Sequence, residues 1–346
     1  MVLALRRLVF LISPLIVITL VGDRSPASEV AHRIDVPSSA SVPFEARYEG
    51  DYADPYVLVV GEDTYTYTTN AEGMNVPILL IRADGSTESL GDALPHPARW
   101  SDPIASGFVW APSVTATDDG YVLYYSARES RSGRQCISAA TATNPAGPFT
   151  DTSTEPLVCQ RLLGGSIDPS PITVDGQQYL LWKNDGNCCD LPISLWIQPL
   201  DDTGLSLTDH PTRLLAAASG WEAGVIEAPS MIEHEGRFLL FYSANQWDSA
   251  DYGVGYAVCA TVTGPCSRTT AHAWLASTAS ENGPGGAEVT RTPDGTVLLA
   301  YHSWGDTVGY GNGGTRGLSI RTITFADGQP TVTELSANSQ AALGEV

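Results

Sequence analysis

Ala53-Asp54-Pro55, Trp110-Ala111-Pro112, Ile167-Asp168-Pro169 and Ile226-Glu227-Ala228-Pro229 are four copies of one strand-to-turn segment. Their prolines fall at 55, 112, 169 and 229, in steps of 57, 57 and 60 residues. Each is followed, after a turn, by an aromatic-rich strand, at residues 65–68, 121–126, 179–182 and 238–243. A fifth copy lacks the proline: aligning Gly286 of Gly285-Gly286-Ala287-Glu288-Val289 with Pro229 gives a further step of 57, and a strand follows at 297–304. A fixed period of this size, written in strands and turns, marks a radial array of four-stranded sheets. The repeat therefore predicts an all-β chain folded as a five-bladed β-propeller.

The intervening sequence agrees. Short apolar runs such as Tyr121-Val122-Leu123-Tyr124-Tyr125 and Phe238-Leu239-Leu240-Phe241-Tyr242 are bounded by turn pairs such as Asp119-Gly120 and Glu235-Gly236, and helical spacing is almost absent. In a propeller the first strand of each blade lines the central axis, so residues one period apart in sequence meet in space. Asp54, Asp168 and Glu227 would then face one pocket.

The chain begins with Arg6-Arg7 and a mostly apolar run from Leu8 to Val21, followed by the small residues Ser25, Ala27 and Ser28. That run is shorter than the about 20 residues a membrane span needs. It reads as a secretory signal peptide over 1–28, then a linker or N-terminal extension over 29–44, then the propeller over 45–346. A secreted protein reaches an oxidising compartment, where its six cysteines favour disulfides. Cys259 with Cys266, and Cys136 with Cys159, are plausible pairs. That leaves adjacent Cys188 and Cys189 as a vicinal disulfide or two free thiols. The formal charge of −21 argues against nucleic acid or an anionic membrane as partner, and a monomer is expected.

Three carboxylates in one partly dry pocket cannot all ionise easily, so at least one must hold its proton above the usual range. A protonated acid beside an ionised base is what glycosidic cleavage requires. Turn formation by Asp before Pro is the plain alternative for any single copy, and a calcium site is the alternative for the cluster.

These residues, with Tyr301-His302-Ser303-Trp304, resemble glycoside hydrolase family 43, inverting five-bladed propeller enzymes acting on arabinose and xylose polymers. The resemblance implies a general base at Asp54, a general acid at Glu227 and a pKa-modulating acid at Asp168. In an inverting enzyme the acid and base carboxyls stand about 6.5–9.5 Å apart, the separation expected of Asp54 and Glu227. It further implies a channel-facing His302 near a calcium or sodium ion, no required cofactor, and Arg316 beside Asp168, keeping that acid ionised. One departure concerns the fifth copy, where many members carry a histidine and this chain reads Gly283-Pro284-Gly285-Gly286-Ala287-Glu288; it bears on the ion more than on catalysis. Sugar-binding candidates are Trp110, level with Glu227 in the repeat, then Tyr56, Trp182 and Trp304, and the polar group Asn184, Asp185 and Asn187. The segment Lys183-Asn184-Asp185-Gly186-Asn187-Cys188-Cys189 looks like one in exo-acting arabinofuranosidases. The expected activity is release of L-arabinose from plant cell-wall arabinan or arabinoxylan. A β-xylosidase or endo-arabinanase, or a non-catalytic glycan-binding propeller, are the alternatives.

Overall fold

In the computed structural model, which describes residues 46–102 and 108–332, the residue before each repeat proline adopts a left-handed backbone: φ is 49° at Asp54, 45° at Ala111, 56° at Asp168 and 47° at Ala228. A residue preceding proline normally stays extended, so one unusual conformation at four equivalent places identifies one structural device. Gly286, at φ 56°, is the fifth member. Ala287 therefore stands where the other copies have proline, one residue later than the sequence alignment placed it.

Five antiparallel sheets result. The short strand β1 (Ala46–Tyr48) belongs to the last of them. Blade I is β2 (Tyr56–Val60), β3 (Asp63–Tyr67), β4 (Pro77–Ile81) and β5 (Thr87–Asp92). Among the described residues blade II holds three strands, β6 (Trp110–Thr117), β7 (Gly120–Arg128) and β8 (Gln135–Ala142). Blade III is β9 (Ser166–Val174), β10 (Gln177–Asn184), β11 (Ser194–Pro199) and β12 (Thr212–Ala216), and blade IV is β13 (Ile226–His234), β14 (Arg237–Ala244), β15 (Gly253–Cys259) and β16 (Cys266–Arg268). Blade V combines β17 (Asn282–Arg291), β18 (Val297–Trp304) and β19 (Arg316–Ala326) with β1, and β20 (Gln329–Val332) also pairs with β19. Pairing of β1 with β19 closes the ring with hydrogen bonds between the two ends of the domain. Buried Glu281 reinforces the closure, bridging Arg47 of β1 to Arg321 of β19 and accepting from Ser319.

Each junction between neighbouring blades has its own apolar cluster, five in all. Blade faces are thus buried on both sides, and central strands such as Leu180-Leu181-Trp182 run continuously apolar. The paired cysteines are Cys136–Cys159, Cys259–Cys266 and the vicinal Cys188–Cys189.

In blades II to V the left-handed residues coincide with breaks in strand register. Pairing skips between Trp110 and Ser113 in blade II, and between Glu227 and Ser230 in blade IV. A bulge bends its strand and re-aims the extra residue, here toward the axis.

Candidate active site

Three tiers of equivalent residues surround the axis. The lowest follows the proline position: Tyr56, Ser113, Ser170, Ser230 and Glu288. Ser170 and Ser230 both donate to Glu288 Oε1, at 2.8 and 2.9 Å. Burial pushes the Glu288 carboxyl up to about 8, opposed by those two hydrogen bonds. Tyr56 lies here, buried, lining an axial cavity of about 20 Å³ beneath Asp54 and Asp168.

The middle tier is the bulge itself, with Asp54 and Asp168 at the left-handed position and Glu227 one residue earlier. The third tier comes from the second strands or, for Thr69, from two residues beyond one: Thr69, Ser126, Lys183, Ser243 and His302. Its members latch onto the next blade's bulge. Ala111 N–H donates to Thr69 Oγ1 (2.9 Å), Asp168 N–H to Ser126 Oγ (3.3 Å), Ala287 N–H to Ser243 Oγ (3.4 Å) and Asp54 N–H to His302 Nδ1 (3.0 Å). Lys183 breaks the series because an ammonium has no acceptor. Ala228 N–H instead donates to Asp168 Oδ2 at 2.9 Å, and Lys183 Nζ donates to Glu227 Oε2 at 2.7 Å.

The three acids consequently have different surroundings. Asp54 Oδ2 accepts from Thr69 (2.6 Å), and Arg316 Nη1 lies 3.8 Å from Oδ1. Burial alone would lower the Arg316 guanidinium, but Asp54, Tyr310 and Asp51 together more than offset this and leave it above its ordinary value. Its guanidinium carbon sits 4.9 Å from the Trp247 ring centre and 5.2 Å from that of Tyr310. Glu227 accepts at both oxygens, from Lys183 and from Tyr252 Oη (2.7 Å). Lys183 is fully buried. That burial disfavours its charge, yet Glu227 and Asp168 outweigh it and hold the ammonium above its usual range. Asp168 is pushed up to about 8 by burial first, then by Glu227; Lys183 opposes the rise, and Asp54 adds to it.

Asp54, Asp168, Glu227, Trp110 and Arg316 line one open pocket of about 510 Å³, together with Asp185 and Asn187. Arg316 stands beside Asp54 rather than beside Asp168, which carries the raised proton affinity instead. Trp182 is buried in the junction between blades II and III, with its indole N–H on Gln160 Oε1 (2.9 Å). Asn184 is buried too, donating to the Leu163 and Pro192 carbonyls and accepting from Ser194 N–H and Trp196 Nε1–H. Neither reaches the pocket. Trp304 is likewise buried, with its indole N–H on the Trp247 carbonyl.

His302 is fully buried beside Asp54 and the Tyr252 ring, and its arrangement does not suit a cation. Its pKa is held well below the ordinary value, by burial and then by Arg316, so the ring is neutral. Nδ1 accepts from Asp54 N–H, which puts the single proton on Nε2. A protonated Nε2 has no lone pair to give a calcium or sodium ion. The 3.5 Å approach of Nδ1 to Asp54 Oδ1 is then a contact between two acceptors, not an ion pair. Glycines make room for this ring: a Cβ at Gly286 would lie 2.5 Å from His302 and 2.6 Å from Asp54 Oδ1, and one at Gly285 would lie 2.0 Å from the Tyr252 ring.

Lys183, Tyr252, Thr69 and Trp247 were not singled out from sequence as site residues. Lys183 and Thr69 carried a usable signal, since the latch positions 69, 126, 183, 243 and 302 keep the same period. Tyr252 and Trp247 lie in a connection outside the repeat and carried none.

Comparison with known proteins agrees with this architecture. The profile of the family described as Glycosyl hydrolases family 43 matches residues 48–330. Arabinan endo-1,5-alpha-L-arabinosidase A of Aspergillus niger is 26% identical over 326 residues, covering 85% of this chain and 98% of that enzyme. Extracellular exo-alpha-(1->5)-L-arabinofuranosidase of Streptomyces avermitilis is 23% identical over 283 residues, which are 77% of this chain but 57% of that longer enzyme. Among solved structures, a thermostable family-43 glycoside hydrolase superposes with a TM-score of 0.69 at 28% identity, over 81% of this chain and 92% of that one.

Proposed function

The chain belongs to glycosyl hydrolases family 43 and is a glycoside hydrolase, and from that premise we propose that it releases L-arabinose from arabinan or arabinoxylan with inversion. Asp54 is the general base, Glu227 the general acid and Asp168 the acid that tunes it. The observation carrying this reading is the unequal treatment of the carboxyls: Asp54 faces Arg316 and Thr69, whereas Asp168 and Glu227 share a desolvated corner with Lys183. Unlike environments on two sides of one pocket separate acid from base.

Asp54, fixed by Thr69, takes a proton from the attacking water. Asp168, held up by burial and by Glu227, keeps its proton into the neutral range, and Glu227 is the acid that protonates the leaving oxygen. Tyr252 and Lys183 hold the Glu227 carboxyl in place. Trp110 offers an apolar face to a sugar ring, with Asp185 and Asn187 as partners for its hydroxyls. The names of the Aspergillus and Streptomyces relatives support arabinose as the sugar. The name of the latter, with the N-terminal run from Leu8 to Val21, supports secretion after removal of 1–28, a segment outside the described residues.

Purified protein is incubated with debranched arabinan, arabinoxylan, and the 4-nitrophenyl α-L-arabinofuranoside and β-D-xyloside, and the product anomer is followed by NMR. Arabinose released first as the inverted anomer is the expected result. Release from the xyloside alone would replace arabinose by xylose. No release by folded protein would leave a glycan-binding propeller.

A further inference from the structure

A disulfide's stabilisation grows with the loop it closes in the unfolded chain, and Cys188–Cys189 closes a single peptide bond. The other two bridges have sequence separations of 23 and 7, so they join segments of chain. The vicinal bridge joins none, and its contribution must come from where it stands. It closes the 3-10 turn Gly186–Cys189 just beyond β10, the strand carrying Lys183. Cys188 is exposed and lines the pocket that holds Asp168 and Glu227, with Asp185 and Asn187 beside it.

The turn is fixed from below. Asn184, just before it, donates to the Pro192 carbonyl just after it and to the Leu163 carbonyl of the neighbouring 3-10 turn Arg161–Leu163. A Cβ at Gly164 would lie 2.1 Å from the Asp185 carbonyl oxygen, and one at Gly186 would lie 2.5 Å from that of Leu191. The backbones are therefore in direct contact. The Arg134 guanidinium lies 3.1 Å from Cys188 Sγ and also touches Cys189 Sγ, backing the sulfurs from the connection between β7 and β8.

Two bonded sulfurs offer an apolar, polarisable surface without a hydrogen-bond donor, suited to the carbon face of a sugar ring. Asp185 and Asn187 flank it with groups suited to the hydroxyls. We propose that the Cys188–Cys189 bridge is a substrate-contact surface that packs against the pentofuranosyl ring seated beside Glu227, setting affinity rather than turnover. The identity of that ring rests on the arabinofuranoside reading above.

The test compares wild type with C188A/C189A on 4-nitrophenyl α-L-arabinofuranoside, and compares the Kd of an arabino-oligosaccharide in an E227Q background by calorimetry. KM and Kd are expected to rise about tenfold, with kcat within about threefold and Tm within ~2 °C. Unchanged KM and Kd would overturn the proposal, as would a drop in kcat that tracks a loss of Tm. If the double variant does not fold, native wild type is reduced with a phosphine and alkylated. Cys136 and Cys259 are buried, so two modified thiols at 188 and 189, counted by mass, should accompany the same rise in KM. Should wild type release no arabinose, the earlier reading falls by itself, and the platform is judged on whichever glycoside of the panel the enzyme does cleave. If it cleaves none, both fall.

Discussion

Replacing Asp168 by Asn should make the protein more stable and nearly inactive, with the stability gain depending on pH. Below pH ~4 the folded and unfolded chains both hold the Asp168 proton, and the substitution changes little. Between the ordinary carboxylate value of 3.8 and about 8 the unfolded chain releases the proton while the folded one keeps it. Wild-type stability therefore falls as pH rises through this window, and levels off above it. At about 1.4 kcal/mol per pH unit the whole interval corresponds to ~6 kcal/mol. The amide is about as polar as the protonated carboxyl it replaces, and the value of about 8 already includes the opposing pull of Lys183, so most of that interval, about 5 kcal/mol, is the expected gain at pH 9. The new amide oxygen can still accept from Ala228 N–H, and Asn tolerates the left-handed backbone. Thermal unfolding of both proteins from pH 3.5 to 9 reads this as a Tm difference near zero at the acid end and about 10 °C at the alkaline end. Activity should fall at least about 100-fold. A Tm difference that does not change with pH, or a D168N protein less stable than wild type at pH 9, would refute the electrostatic account of the site.

Glu288→Gln is the companion control: its carboxyl is also raised to about 8 by burial, so Tm at pH 9 should rise, but kcat should stay within about fivefold because Glu288 lies below the reacting tier. Lys183→Met leaves Glu227 without its buried cation and should cost about 3–5 kcal/mol in urea unfolding. Without that positive charge Asp168 keeps its proton to higher pH, so the alkaline limb of kcat/KM should move upward; an unmoved limb would remove Lys183 from the acid's environment. Gly286→Ala introduces a Cβ against His302 and Asp54 Oδ1, and arabinose release should fall at least about 100-fold, measured beside Tm to separate misplacement of the base from unfolding.

The propeller and its three acids were legible because proline before a turn is a residue type that survives from copy to copy, so Pro55, Pro112, Pro169 and Pro229 expose the period directly. Where the marker is missing, the alignment slipped by one, and the left-handed backbone of Gly286 restores it. Aromatic content misled at Trp182 and Trp304, because both faces of a blade's central strands are buried between neighbours and any large apolar side chain fits there. Asn184 misled for a related reason: a polar residue at a strand end can serve four backbone and indole partners instead of a ligand. The partner of Arg316 was beyond sequence, since a guanidinium at the start of β19 reaches whichever carboxyl the blade rotation brings near, and that is Asp54.

The latch tier explains how a five-fold repeat comes to hold an asymmetric site. Four of its members, Thr69, Ser126, Ser243 and His302, each accept a backbone N–H from the following bulge. Such acceptors are neutral and interchangeable in role, and a propeller built from them alone would treat every bulge alike. Putting a lysine at the one remaining position removes an acceptor and adds a buried charge. The orphaned Ala228 N–H is then met by Asp168, which draws that acid across to the next blade, and the ammonium takes Glu227. One change from acceptor to donor therefore gathers two carboxyls on the same side of the axis, while Asp54, one blade beyond His302, is left to Arg316. The division of labour proposed for the acids follows from that single break in the repeat more than from the acids themselves.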